Sequence, residues 1–117
     1  MEPTLHDVYT GKKNIKIDND TEVEINVEIH DTSGDDAHSS RRKVLYKGAD
    51  VFVICVGADR SESLINVQKW LDEIKSVEDK KPIMLMLCKK DIQDPAVTFK
   101  NLRAKRDQFS NTFIGTV

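Results

Sequence analysis

At 117 residues and a net charge of −2, the chain has room for one domain and one core, and no low-complexity stretch or linker divides it. Its 38% apolar and 32% charged residues include no apolar run near the roughly 20 residues of a membrane span. The start, Met-Glu-Pro-Thr, lacks the basic and apolar regions of a secretory signal, which points to the cytosol. Cys55 and Cys88 each sit inside an apolar run, and His6, His30 and His38 are scattered, so neither a disulfide framework nor a zinc site is expected.

The charge is unevenly spread. Residues 1–40 carry ten acids and three bases, and residues 41–117 carry ten acids and fifteen bases, a division of −7 against +5. Among the bases, Lys100, Arg103, Lys105 and Arg106 read as the solvated face of one helix without aromatics arranged to stack on bases, so no nucleic-acid partner is expected.

In chain order, residues 14–17 offer a short strand, Asp18-Asn19-Asp20 supply a turn that tolerates left-handed backbone, and residues 23–30 alternate Val and Ile with Glu, Asn and His. These make a β-hairpin with one buried face. Residues 51–56 and 83–88 are continuous apolar runs, the pattern of parallel strands buried on both faces. Between them Leu64, Val67, Leu71 and Ile74 recur at helical spacing beside Trp70. Asp59 or Ser61 can cap that helix, and Asp59-x-x-Glu62 has capping-box spacing. Strand, helix, strand is a right-handed crossover unit. Beyond Pro95 a second helix is expected, with Thr98 near its cap and Phe99, Leu102 and Phe109 facing inward, followed by a short strand through Thr112-Phe113-Ile114. The order predicts an α/β fold, a β-hairpin followed by parallel strands with crossover helices on both faces of the sheet, and ligands at the carboxyl ends of the strands.

Three strings fall where chemistry is expected. Ile29-His30-Asp31-Thr32-Ser33-Gly34 runs an alternating strand into Asp-x-x-Gly, placing a carboxylate at the strand end and a bare glycine amide three residues later. Such a carboxylate can hold a magnesium-bound water, and such an amide can approach a terminal phosphate, although the same four residues also make an ordinary polar turn. Upstream lies Glu2-Pro3-Thr4-Leu5-His6-Asp7-Val8-Tyr9, and downstream lies Met84-Leu85-Met86-Leu87-Cys88-Lys89-Lys90-Asp91. Together they resemble the effector-loop, Asp-x-x-Gly and Asn-Lys-x-Asp segments of the Ras superfamily of small GTPases. The resemblance runs from Pro3 to about Thr116. The effector string looks Ras-like, whereas residues 66–74 are closer to the Rab pattern.

The resemblance implies roles residue by residue. Thr4 would ligate magnesium and touch the terminal phosphate, and Pro3, Thr4, Leu5, Asp7 and Tyr9 would form the surface that effector and regulator proteins read. Asp31 would hold magnesium through a water, and the Gly34 amide would touch the phosphate. Lys89 would lay its stem over guanine, and Asp91 would accept two hydrogen bonds from it. Lys89-Lys90-Asp91 also reads as a charged cluster capping a buried strand.

Several positions depart from the family pattern. Asp35 stands where a water-orienting glutamine is usual, and a carboxylate offers no amide N–H and adds negative charge beside phosphates. Cys88 stands where asparagine is usual, and a thiol cannot replace its amide donor and acceptor. No Gly-x-x-x-x-Gly-Lys-Ser/Thr string occurs in the 117 residues, so a phosphate cradle is lacking. The expectation is a single partial G domain over residues 1–117, of P-loop NTPase-like α/β fold, with no catalytic residue assigned. Binding of GTP, GDP and Mg2+ is expected to be weak or absent, and no membrane anchor is seen. The alternative is a pseudo-GTPase that binds proteins through residues 3–9 and 31–46 and takes no nucleotide. Because the strand that separates residues 23–30 from 51–56 in the family has no counterpart here, those two strands would either pair directly in parallel or leave a slot.

Overall fold

The computed structural model describes residues 6–32, 34, 36–89, 91–109 and 113–117, without the side chains of His6, Asp36 and Ile114. These residues form two compact units, within Met1–Arg42 and Lys43–Val117.

In the first unit, β1 (His6–Lys16) pairs antiparallel with β2 (Glu22–Thr32). The register sets Tyr9 opposite Ile29, Gly11 opposite Val27, Lys13 opposite Ile25 and Ile15 opposite Val23. These pairs share one face, because side chains alternate along each strand. On the other face Thr10 meets Glu28, Lys12 meets Asn26 and Asn14 meets Glu24, and Lys12 reaches Glu24 at 3.6 Å. The expected first strand covered only residues 14–17. Gly11, Lys12 and Lys13 interrupt the apolar alternation of β1, so its full extent is dictated by its partner's regular pattern. Asp7 and Tyr9, expected in a loop, therefore lie in a strand, and Ile17 falls just outside it.

The hairpin turn forms where expected. Asp18 Oδ1 accepts the Asp20 N–H at 2.9 Å, and the Ile17 N–H donates to the Thr21 carbonyl at 3.0 Å. The Asp20 amide holds the Asp18 carboxyl below its usual range. Lys89 and Asp94 are the non-glycine residues with positive φ among those described, so this turn makes no use of left-handed backbone.

After a 3-10 turn at Asp36–His38 comes α1 (Ser39–Tyr46), a helix absent from the sequence reading. The second unit then builds a parallel sheet in the order β3 (Phe52–Gly57), β4 (Ile83–Cys88), β5 (Phe113–Thr116). The last strand begins one residue after Thr112, which lies outside the described residues. Its helices are α2 (Ser61–Ile65), α3 (Val67–Lys75) and α4 (Phe99–Gln108).

One face of the sheet is buried. Phe52, Ile54 and Val56 of β3 and Ile83, Leu85 and Leu87 of β4 join Val67, Leu71, Ile74 and Leu102 in a single cluster. Each such side chain contributes about 1.5–3 kcal/mol by leaving water. The other face departs from the expectation of burial on both sides: Val53 is 48% exposed, Cys55 is exposed, and Met84 and Met86 are half-buried. Continuous apolar runs record what a strand tolerates on each face, and here side chains cover only one.

The crossover helix is divided. Asn66 interrupts the expected run, separating α2 from α3, while its carbonyl still accepts the Trp70 N–H at 3.1 Å. The Asp59-x-x-Glu62 capping box does not form, since Arg60 takes the cap position without a side-chain hydrogen bond. In α4 the expected cap does form: Thr98 Oγ1 accepts the Asn101 N–H at 3.3 Å, and Asn101 Oδ1 accepts the Thr98 N–H at 2.9 Å. Leu102 is fully buried and Phe109 packs at the core margin, but Phe99 is exposed, with the Arg103 guanidinium 5.2 Å from its ring centroid.

The hairpin β1–β2 makes one sheet and β3, β4 and β5 make another. Among the described residues, no helix is long and apolar enough to cross a membrane.

Candidate guanine-reading edge

In the second unit β3 and β4 end in register at Gly57 and Cys88. The Ala58 N–H donates to the Cys88 carbonyl at 2.9 Å, and the Val97 N–H donates to the Ala58 carbonyl at 3.1 Å. These two bonds tie the chain after β4 to the end of β3. The next residue, Lys89, has φ 59°, a left-handed conformation that costs a residue with a Cβ roughly 1–2 kcal/mol. Its carbonyl accepts the Ile92 N–H at 3.3 Å, closing a turn that carries Asp91, which is exposed.

From that turn the Lys89 side chain reaches across the strand ends to Asp59, Nζ to Oδ2 at 3.2 Å. The Lys89 hydrogen bond holds the Asp59 carboxyl below its usual range against the opposing effect of desolvation, with the Asp59 backbone amide and the charges of Lys89 and Arg60 adding to it. The other carboxylate oxygen lies over Gly57, where an added Cβ would come within 2.7 Å of Asp59 Oδ1. Ser63 pins the same loop by accepting the Gly57 N–H at 3.0 Å and donating to the Arg60 carbonyl at 2.6 Å.

The sequence reading missed Gly57, Asp59 and Ser63. It offered Asp59 or Ser61 as a helix cap, although a carboxylate two residues beyond an apolar strand was the available signal. Cys88 is half-buried at the end of β4, and Lys90 lies outside the described residues.

The remaining candidates belong to the first unit. Asp31 is exposed near the end of β2, directly opposite the exposed Asp7 of β1, and Gly34 is exposed just beyond. Like charges in that position repel, which favours an added cation. Among the described residues, no group of three or more His, Cys, Asp or Glu side chains could by itself hold a metal ion. One carboxylate is nevertheless a donor that suits Mg2+, which keeps several waters and takes phosphate oxygens. Pro3, Thr4, Leu5 and Asp35 lie outside the described residues.

The Ras family sequence model matches residues 1–117. This chain belongs to the Ras family. The Ras-family chain is 30% identical over 117 residues to GTP-binding protein RHO1 of Candida albicans, covering 97% of this chain and 55% of that protein. It is 35% identical over 115 residues to GTP-binding protein rho5 of Schizosaccharomyces pombe, covering 95% of this chain and 53% of the relative. It is 32% identical over 110 residues to GTP-binding protein RHO1 of Saccharomyces cerevisiae, covering 91% and 49% respectively. The chain thus spans about half the length of the curated relatives it matches. All three carry Rho names, where the strings in this sequence look Ras-like and Rab-like.

Proposed function

We propose that this Ras-family chain is the switch and guanine-reading portion of a GTP-binding molecular switch, and that the 117-residue polypeptide by itself binds nucleotide weakly. The observation that carries the reading is the Lys89 turn: a left-handed residue at the carboxyl end of β4 sends a lysine stem along the sheet edge and leaves Asp91 exposed two residues later. A planar base with adjacent N–H donors is the ligand such a stem and carboxylate suit. The relatives' names, each a GTP-binding protein, support the same assignment.

GTP, GDP and Mg2+ are the expected ligands. Asp31 would hold the ion through water, Thr4 and the Gly34 amide would contact the terminal phosphate, and Mg2+ would neutralise phosphate charge. Pro3, Leu5, Asp7 and Tyr9 would be read by effector and regulator proteins, and Asp7 and Tyr9 are both exposed on β1. Asp35, in the place of a water-orienting glutamine, supports slow hydrolysis.

Titration of the 117-residue chain with a fluorescent guanine nucleotide tests the reading. The expected dissociation constant is weaker than about 100 μM, because no backbone cradle for the β- and γ-phosphates occurs in these residues. Asp91→Ala should abolish the remaining preference for guanine over adenine. Saturable submicromolar binding would overturn the weakness, identical binding by Asp91→Ala would overturn the guanine reading, and no binding at any concentration would favour a protein-binding module that takes no nucleotide.

A further inference from the structure

We infer that Asp59 is the positioning residue for Lys89: seated on the bare Cα of Gly57, its carboxylate fixes the ammonium so that the lysine stem lies along the carboxyl edge of β3 and β4. The inference rests on the guanine reading of Lys89 and Asp91, and it adds how the lysine is held before any base arrives.

Three features of the edge converge on this role. Lys89 and Asp59 are 30 residues apart in sequence, yet the β3–β4 register and the Ala58 to Cys88 hydrogen bond bring their backbones to the same edge. The carboxylate can fold back over the end of β3 only because position 57 has no Cβ, which would meet Asp59 Oδ1 at 2.7 Å. Ser63 fixes the same turn by bonding Gly57 and Arg60. A free lysine stem samples many rotamers, so a fixed ammonium removes part of the ordering cost of laying the stem against a planar base. The pair is partly exposed, with side-chain accessibilities of 63% for Lys89 and 35% for Asp59, so its effect is moderate and sensitive to salt.

The test is a double-mutant cycle read by GDP titration in amide NMR spectra of the whole chain at low salt. Asp59→Asn should weaken GDP binding about 2- to 5-fold, and it should have no effect in a Lys89→Ala background. Gly57→Ala should give a similar loss, since its Cβ meets only the end of a movable side chain and leaves the core resonances in place. Without nucleotide, the Asp59 carboxyl carbon should titrate below the usual carboxylate range and return towards it in Lys89→Ala, which reads whether the pair forms in solution, while the loss of the Asp59→Asn effect on GDP binding in the Lys89→Ala background is what a purely structural role for Asp59 would not give. If Asp91→Ala weakens GDP binding while Asp59→Asn leaves it unchanged, the positioning role is overturned and the guanine reading stands. If neither substitution changes binding, the guanine reading fails and the positioning role fails with it.

Discussion

Tyr46 donates its hydroxyl to Glu73 Oε2 at 2.7 Å and meets Phe52 edge-on, with ring centroids 5.4 Å apart. The last residue of α1 is thereby fastened to α3 by a charged acceptor and to β3 by an aromatic contact. Tyr46→Phe keeps the ring and loses the hydrogen bond, so it should cost about 1 kcal/mol. Tyr46→Ala also removes a buried ring and should cost roughly 3 kcal/mol or more. Urea denaturation checks both: the midpoint should fall in that order at constant m-value, and equal midpoints for wild type and Tyr46→Phe would show that the hydroxyl adds nothing.

Thr98 and Asn101 satisfy each other's backbone N–H groups at the start of α4. Thr98→Ala should destabilise by about 1 kcal/mol, and Asn101→Ala by a similar or smaller amount. The two act as one reciprocal unit, so the double variant should lose less than the sum of the singles. Thermal unfolding of the four proteins reads this directly, and strict additivity would contradict a shared box.

Asp59 should leave a mark on the acid side of the stability profile. Its folded carboxyl is held below the usual range chiefly by the Lys89 hydrogen bond, so the stabilisation is fully present above the unfolded carboxylate pKa and is lost as pH falls through the folded value. The stability difference between wild type and Asp59→Asn should therefore be constant above about pH 5 and shrink below about pH 4. Denaturant curves at stepped pH measure it. A difference that stays flat down to the acid transition would show that the carboxyl has no partner in solution.

Apolar side chains stand in solvent on both sheets: Tyr9 and Ile29 are each 57% exposed on the hairpin, and Val53 is 48% exposed on β3. The chain should bind a hydrophobic dye at neutral pH, and Ile29→Lys and Val53→Lys should each reduce the signal with little loss of stability, because little buried area is removed. Dye fluorescence at matched concentrations reads this, and no signal from wild type would mean that these faces are covered in solution.

The sequence by itself determined much of the local order. The Asp18 turn, the strand positions of β2, β3 and β4 and the Thr98 cap follow from short-range rules, whereas the face of β2 expected to be buried is exposed, with Val23, Ile25 and Ile29 at 37%, 37% and 57%. Family membership was legible in the same way, from three strings in the right order. What only the tertiary structure decided depends on partners distant in the chain. The length of β1 was set by pairing with β2 rather than by its own Gly11-Lys12-Lys13, and burial of one face of β3 and β4 was set by which side the surrounding elements cover. Asp59 shows the division most directly. Its local spacing reads as a helix cap, but the strand register delivers Lys89 within 3.2 Å, and a charge-assisted bond to that lysine takes the carboxylate.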